Sequence, residues 1–267
     1  MNTIRLSMES RKSIFRIETL SEEINPEWAI VFRNCFKDPL VDYLENKEKN
    51  RVCQLLQGSS TKWLQRSAMQ ASLYLPLASN DEMIREMIAH VLKQHFEFVN
   101  TSYSSVEING EDRSKAELYR LSYPLQLAYL FYLRTEDISQ FSLLFTSASS
   151  RILALWEKEL IGSGKKVILE KEFLIEVIQY LEEIFRNITR HAALEEQAFT
   201  LKKRLVSHAE FTSQEEHALF RKGLLVETYR EKEKILNLLL GKMKEIQYQD
   251  TVIDLLFCQL LLNYFKV

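Results

Sequence analysis

The sequence predicts an all-α protein, a multi-helix bundle of about nine helices with a long C-terminal antiparallel helical hairpin. Three observations predict this class. The chain has only six glycines and four prolines in 267 residues, where average usage would give about 19 and 13, and folds rich in tight turns need both. Apolar residues recur at spacings of three and four, and cap residues precede these runs. No alternation of strand and helix patterns is found.

Composition and charge exclude several classes of protein. Hydrophobic residues make up 46% and charged residues 27% of the chain, which is typical of a folded, soluble protein. The formal net charge of −2 argues against a globally basic nucleic-acid-binding surface. The three cysteines, Cys35, Cys53 and Cys258, are an odd number without short spacings, so neither a zinc site nor a disulfide framework is expected. This favours a reducing, cytoplasmic setting.

Cap residues divide the first hundred residues into predicted helices. Asn25-Pro26 and Asp38-Pro39 each place a cap residue before a first-turn proline. Ser79 and Glu82 form a capping box. Residues 1–24 are ambiguous, because the alternation in "SIFRIET" fits a short strand or an arm lying on the body. The predicted helices in this part of the chain cover 26–36, 39–57, 60–75 and 82–99.

The stretch "LSYPLQLAYLFYL", residues 121–133, is the most apolar part of the chain. As a helix it would cover only about 20 Å, too short for the roughly 30 Å of a membrane core. It is therefore predicted to be the buried centre of a helix over 115–134, kinked or split by Pro124. Tyrosines around this helix offer an alternative, a ligand pocket. They are Tyr119, Tyr123, Tyr129 and Tyr132.

The segment between the helices at 82–99 and 115–134 is a polar loop. Residues 100–113 contain Asn109-Gly110, a strong turn signal that fits a small hairpin between Val106 and Glu111. The loop is a candidate for an exposed functional segment, although most loops of this kind only connect elements.

The C-terminal part of the chain predicts the hairpin. Helices are expected over 135–161, 170–208 and 213–246, with a last helix after Asp250. The four-residue link "EFTS" between the second and third of these predicts an antiparallel pair with an apolar root and a charged, projecting tip. A division near 162–169 would separate a helical body with an uncertain N-terminal arm, 1–161, from the hairpin and terminal helix, 162–267, though the two could share one core.

The predicted hairpin tip carries the candidate binding residues. A charged tip is usually only solvated, but five cations there could contact an acidic partner surface or phosphates. They are Lys202, Lys203, Arg204, Arg221 and Lys222.

Known catalytic and cofactor motifs are missing from the sequence. None of the five histidines follows a glutamate by three positions, so the di-iron bundle motif is absent. Zincin and phosphate-loop motifs are also absent, as is the nucleophile elbow. The sequence thus predicts no metal and no cofactor, and it leaves a catalytic site assembled from distant residues open.

Three functional hypotheses follow. The leading one is a non-enzymatic protein-interaction module, an adaptor, regulator or assembly subunit that binds a partner protein, with the hairpin tip as a candidate contact. The second is an enzyme or small-ligand-binding protein with a pocket near the tyrosine-rich helix 115–134. The third is a weak nucleic-acid binder that uses the basic tip. The absence of a motif makes the sequence lean away from an enzyme.

Overall fold

The protein is almost entirely helical, which confirms the predicted all-α class. The computed structural model describes residues 6–46, 60–103, 115–161, 168–169, 171–207, 211–212, 222–224, 228–245 and 252–266. The helices of these ranges are α1 Met8–Ile24, α2 Pro26–Phe32, α3 Asp38–Asn46, α4 Thr61–Leu73, α5 Leu75–Ala78, α6 Glu82–Ser102, α7 Lys115–Arg120, α8 Ser122–Thr135, α9 Leu143–Trp156, α10 Lys171–Glu183, α11 Ala192–Ser207, α12 Tyr229–Glu245 and α13 Ile253–Tyr264.

Two further kinds of element accompany the helices. Three π-helical turns follow α2, α9 and α10, at Arg33–Lys37, Glu157–Ile161 and Ile184–Ile188. Two strands of two residues each, β1 Ile168–Leu169 and β2 Phe211–Thr212, pair in parallel. No helix within the described part of the chain is both long and apolar enough to cross a membrane.

The chain forms two compact units, each assembled from separated segments. Unit 1 contains residues 1–55, 69–85 and 214–267, and unit 2 contains residues 56–68 and 86–213. Whether 1–161 and 162–267 are separate folding domains stays a prediction.

The core of unit 1 is built around Trp28. Its indole ring is fully buried and meets the rings of Phe257 and Tyr264 edge-on, at centroid distances of 6.2 and 5.7 Å. The indole N–H donates a hydrogen bond to Asn237 Oδ1 at 3.2 Å. Because these partners lie on α12 and α13, the one side chain ties the N-terminal helices to the C-terminal ones through both packing and a satisfied donor.

The apolar stretch at 121–133 is core, as predicted. Eight residues of α8 are buried, and Phe131 and Leu125 have no exposed surface. The predicted split before Pro124 is confirmed: α7 ends at Arg120, and the Leu121 N–H bonds to Leu118 O, a tighter turn than the α-helical one. The break spares the proline ring a clash with a carbonyl one turn back.

Two of the predicted helix starts are at the correct positions. The cap of α2 is the predicted one, whereas the cap of α6 is a different residue. Asn25 caps α2, its side-chain oxygen accepting a hydrogen bond from the Glu27 N–H at 3.0 Å, with Pro26 in the first turn. At α6, however, Asp81 replaces the predicted capping box of Ser79. Its Oδ1 accepts from the Ile84 N–H, while its Oδ2 accepts from the Ser7 N–H at 2.7 Å. A carboxylate satisfies two separate backbone donors, which a serine hydroxyl does less well.

Two element boundaries were predicted wrongly. Residues 8–24 form α1, an ordinary helix capped by Ser7, and not a strand or an extended arm. The helix expected from Thr135 begins at Leu143 instead, because Glu136 takes a left-handed backbone conformation with φ of 58°. The end of the helix predicted at Gly58 and the hairpin at Val106–Glu111 lie outside the described residues.

The long hairpin of 170–246 is corrected by the structure. The helix expected over 170–208 turns back on itself at residues 189–191, where Arg190 has a φ of 52°. The Lys202–Glu182 and Arg186–Glu195 ion pairs show that α10 and α11 are antiparallel neighbours. The helical hairpin is therefore α10–α11, and α12, which was to form its second arm, belongs to unit 1. The apolar residues at spacings of three and four in this segment are buried where the two shorter helices pack together. The periodicity of the sequence does not reveal the turn between them.

Two glycines give a matched test of packing in unit 1. A Cβ atom on Gly223 would lie 2.6 Å from Leu260 Cδ2 and 3.3 Å from Ile235 Cγ2, whereas a Cβ on Gly241 would meet nothing within 4 Å. Leu260 is fully buried and has little room to move. We expect Gly223→Ala to lower the free energy of unfolding by about 1–3 kcal/mol and Gly241→Ala, inside α12, to raise it by about 0.5–1 kcal/mol.

Urea denaturation of both variants measures this difference. Equal shifts for Gly223→Ala and Gly241→Ala would contradict the close packing of Gly223 against α13.

Candidate functional site

Aromatic side chains line the contact between the α7–α8 segment and α10 in unit 2. The ring of Phe173 lies 5.5 Å from that of Tyr119 and 5.0 Å from that of Tyr123. Further along both helices, Tyr180 contacts Tyr129. Residue numbers rise together on the two sides, so α8 and α10 run in the same direction. These five aromatic residues, together with Glu176 and Glu183 on α10, are called the tyrosine seam below.

At its C-terminal end, the tyrosine seam contains two tyrosine rings and two carboxylates that are joined by hydrogen bonds. Tyr129 and Tyr180 are stacked, with centroids 4.2 Å apart and planes 14° from parallel. The Tyr129 hydroxyl donates a hydrogen bond to Glu183 Oε2 at 2.6 Å. The Tyr180 hydroxyl donates one to Glu176 Oε1. Both glutamates are exposed, so each carboxylate is held by a tyrosine and still faces solvent.

Helix α10 sets the spacing of these carboxylates. Glu176 and Glu183 are seven residues apart, two turns of helix, which puts them on one face with α-carbons about 10.5 Å apart. Tyr180 lies between them on that face. The π-helical turn Ile184–Ile188 begins directly after Glu183, and such turns are frequent at functional sites.

The tyrosine hydroxyls remain protonated at neutral pH. Burial raises the pKa of Tyr129 to about 12, and the hydrogen bond to Glu183 and its negative charge act in the same direction. Burial and then Glu176 raise the pKa of Tyr180 in the same way. Each hydroxyl is therefore a constant donor that orients its carboxylate, and the array of two rings and two acids is preorganised.

A third carboxylate, Glu182, faces the other side of α10. It is 8% exposed, and its Oε2 lies 2.5 Å from Lys202 Nζ on α11. Its Oε1 is buried and has no hydrogen-bond partner within the described ranges. Removal of either partner would leave a charge in a mostly buried position, so this pair is a structural link of the α10–α11 hairpin.

A buried histidine forms a second polar cluster of unit 2. His95 on α6 is fully buried, and its Nε2 lies 2.6 Å from Ser67 Oγ on α4. The Ser67 hydroxyl also lies 2.6 Å from the Trp63 carbonyl. Since the hydroxyl has one proton and the carbonyl can only accept, we assign that proton to Trp63 O and an N–H to His95 Nε2.

The same cluster is unsuited to nucleophilic catalysis. With the proton on Nε2, the histidine cannot accept the Ser67 proton, and Nδ1 stays a buried acceptor without a partner in the described part of the chain. Burial lowers the pKa of His95 to about 3. The ring is therefore neutral at physiological pH, and its edge packs against Trp63 at 4.9 Å.

Of the five predicted binding cations, three lie on α11 and one lies in the short helical stretch 222–224. Lys202 is paired with Glu182, and Arg204 Nη1 lies 2.7 Å from Glu157 Oε1. Lys203 is exposed on α11, and Lys222 is exposed in the short helical stretch 222–224. Arg221 lies outside the described residues. Lys202, Lys203 and Arg204 belong to unit 2 and Lys222 belongs to unit 1, and a binding role for the five cations stays a prediction.

The sequence identifies the tyrosines of α7 and α8 as candidate pocket residues, but it does not identify Glu176 and Glu183. Glu176, Tyr180 and Glu183 share one helix face, and that spacing was the available signal. It is common on surface helices and therefore carries little weight alone. No group of three or more metal-ligating side chains is found among the residues described.

Two comparisons with known proteins found a similar protein. A family model described as metal-independent alpha-mannosidase (GH125) matches residues 25–109. A Streptococcus pneumoniae protein has a similar solved structure, a non-productive substrate complex with alpha-1,6-mannobiose from a family of metal-independent alpha mannosidases. It matches with a TM-score of 0.69 and 17% identity over 99% of this chain and 100% of that chain. No curated protein matches.

These comparisons overturn the leading functional hypothesis. The prediction of a non-enzymatic adaptor that binds a partner protein is wrong, because the partial family match and the whole-length fold match both lead to alpha-mannosidases. The second hypothesis, an enzyme or small-ligand binder near the tyrosine-rich helix, agrees better with them. The physical reason for the error is that a missing motif does not exclude an active site made from residues far apart in the sequence.

Proposed function

We propose that this chain is a glycoside hydrolase that cleaves α-linked mannose from a glycan without a metal ion. The observation that carries the proposal is the fold shared over 99% of the chain with a metal-independent alpha-mannosidase. The family match at residues 25–109 supports it. That match ends before the tyrosine seam, so the placement of the site rests on the chemistry of the seam itself.

The tyrosine seam has the groups that glycoside hydrolysis needs. Most glycosidases use two carboxyl groups, one that protonates the leaving oxygen and one that activates water or attacks the sugar. Glu176 and Glu183 supply two, both exposed and both oriented by tyrosines. Tyr180 is half-buried, so part of its ring surface is available to the apolar face of a pyranose. Substrate would lie along this face of α10.

The spacing of the two glutamates favours direct attack by water. Inverting enzymes keep their carboxyl groups about 6.5–9.5 Å apart to admit a water molecule, whereas retaining enzymes need about 5–5.5 Å. Positions seven residues apart on a helix lie about 10.5 Å apart at the backbone, which suits the wider arrangement. One glutamate takes a proton from water as oxygen attacks the anomeric carbon. The other gives a proton to the departing glycosidic oxygen, so free mannose and a shortened glycan result.

Release of mannose from alpha-1,6-mannobiose by the purified chain tests the proposal. We expect time-dependent mannose release that is unchanged by a metal chelator and linear in enzyme concentration. Glu196→Gln, an exposed glutamate on α11 outside the seam, should release mannose at the wild-type rate. If no α-mannoside in a panel of linkages is cleaved or bound, the proposed function is wrong.

We also propose a cytoplasmic location. Cys35 and Cys258 are buried free thiols in unit 1, and Cys35 Sγ lies 3.6 Å from Asp254 Oδ2. Unbridged cysteines support a reducing compartment. Fractionation of the native host would contradict this location if the protein were found only outside the cytoplasm.

A further inference from the structure

Helix α1 exposes two large apolar side chains on one face. Phe15 is 71% exposed and Met8 is 67% exposed. They are seven residues apart and so lie on the same side of the helix. The opposite side is buried within unit 1, through Ser10, Ile14, Ile17 and Ser21. The two side chains give this face a pair of apolar contact points about 10.5 Å apart along the helix.

The charges of α1 are divided between its two halves. The first half, residues 8–16, carries three basic residues and one acidic residue, a net charge of +2, while the second half, residues 17–24, carries three acidic residues and no basic one, a net charge of −3. The basic residues are Arg11, Lys12 and Arg16, and the acidic ones are Glu9, Glu18, Glu22 and Glu23. Glu18 is mostly covered and pairs with Arg33 and Lys37. Arg11 donates a hydrogen bond to the Leu6 carbonyl at 3.0 Å, and Glu22 lies 3.9 Å from Arg33.

This division makes the helix complementary to itself when a second copy runs in the opposite direction. In an antiparallel pair the basic half of each helix faces the acidic half of the other, whereas a parallel pair would oppose like charges. Phe15 lies next to the midpoint of Met8–Ile24. A two-fold axis through the centre therefore brings the two Phe15 side chains together, in an isologous contact.

We propose that α1 is a self-association surface that pairs antiparallel with α1 of a second copy of this chain, around Phe15. With the axis at residue 16, the two Phe15 α-carbons are offset by about 3 Å along the helices and the two Met8 α-carbons by about 24 Å. A 17-residue helix is about 26 Å long and buries less surface than a standard interface. The dimer is therefore weak and dependent on concentration.

Cysteine cross-linking tests the geometry. In a Cys53→Ser background, Phe15→Cys is compared with Met8→Cys, a matched control on the same face. An added oxidant removes two electrons and two protons from a pair of thiols to form one disulfide. We expect Phe15→Cys to yield disulfide-linked dimer at least tenfold faster than Met8→Cys at equal concentration. Equal rates of disulfide formation in the two variants would overturn the proposal. Fast cross-linking of both variants would indicate a parallel pair.

Charge reversal tests the complementarity independently. Lys12→Glu with Arg16→Glu makes both halves of α1 acidic, and Glu22→Lys with Glu23→Lys makes both halves basic. In sedimentation velocity each variant alone should dimerise at least tenfold more weakly than wild type, and a one-to-one mixture should recover the wild-type affinity. Circular dichroism checks that both variants fold. Either of two results would show that α1 does not self-associate. One is a wild-type protein that stays monomeric throughout the concentration series, and the other is a mixture that dimerises no more tightly than each variant alone.

Discussion

Replacement of Glu183 by glutamine is expected to lower kcat for α-mannoside hydrolysis by about 10² to 10⁴-fold, the contribution that general acid–base catalysis makes. Glutamine keeps the size of the side chain and can still accept the hydrogen bond from the Tyr129 hydroxyl. It cannot take up or release a proton. Substrate affinity should therefore change little, so that the loss falls on kcat and not on KM. Glu176→Gln should behave in the same way.

Initial-rate kinetics with the wild type, the two seam variants and Glu196→Gln measure this effect. The exposed Glu196 on α11 controls for loss of one negative charge. If Glu183→Gln and Glu176→Gln both keep the wild-type kcat, the tyrosine seam is not the catalytic site, even if the chain hydrolyses mannosides. A wild-type chain that binds mannobiose and never cleaves it would instead contradict hydrolysis while retaining the sugar site.

The stability of the protein is expected to fall steeply in mild acid because of His95. The pKa of this histidine is lowered from 6.5 to about 3 in the folded state by burial alone. Between these two pH values the unfolded chain binds a proton that the folded chain does not bind. The free energy of unfolding therefore rises with pH across this window, and this contribution to stability is lost progressively as pH falls below 6.5. At 1.36 kcal/mol per pKa unit, the effect is on the order of 4 to 5 kcal/mol.

Urea denaturation between pH 4 and pH 7 separates this contribution from those of the carboxylates. His95→Gln should be less stable than wild type at pH 7, since it disrupts the contact with Ser67, but its stability should depend less on pH. His90→Gln, an exposed position on the same helix, should keep the wild-type slope. The same slope in all three proteins would show that His95 is not held neutral.

Local features of the fold were predictable because they depend on short-range chemistry. Asn25 and Pro26 define the start of α2 through one hydrogen bond and one fixed dihedral angle. Pro124 would lie in the interior of a helix over 115–134, where its ring clashes with a carbonyl one turn back. The helix is divided at Leu121, so that Pro124 falls in the first turn of α8. The buried character of α8 followed from its composition, since apolar residues on nearly every face leave no side for water.

Features that depend on tertiary context were not predictable in the same way. The reversal at 189–191 contains no glycine or proline, and Arg190 takes a left-handed conformation instead. This strain is tolerated because α10 and α11 bury a shared apolar face, with Leu181, Phe185 and Leu201 almost fully covered. A strictly periodic sequence is compatible with one long helix or with two shorter ones packed together, and only the rest of the fold decides between them.

The carboxylate pair proposed for catalysis was not singled out in the sequence for a related reason. Metal sites and phosphate loops place their ligands at short fixed spacings, whereas a pair of carboxylates for glycoside hydrolysis has no such signature. Glu183 acquires its significance from Tyr129, which is 54 residues away in the sequence. The tyrosine-rich helix was noticed, but its partner helix α10 was interpreted as part of a projecting arm.

The central claim is that α-mannosides bind and react at the tyrosine seam. A crystal structure of the Glu183→Gln variant with alpha-1,6-mannobiose tests it most directly. The sugar should lie along α10, with a ring against Tyr180 and the glycosidic oxygen between residues 176 and 183. Mannobiose bound elsewhere, with Glu176 and Tyr180 free of contact, would contradict the claim.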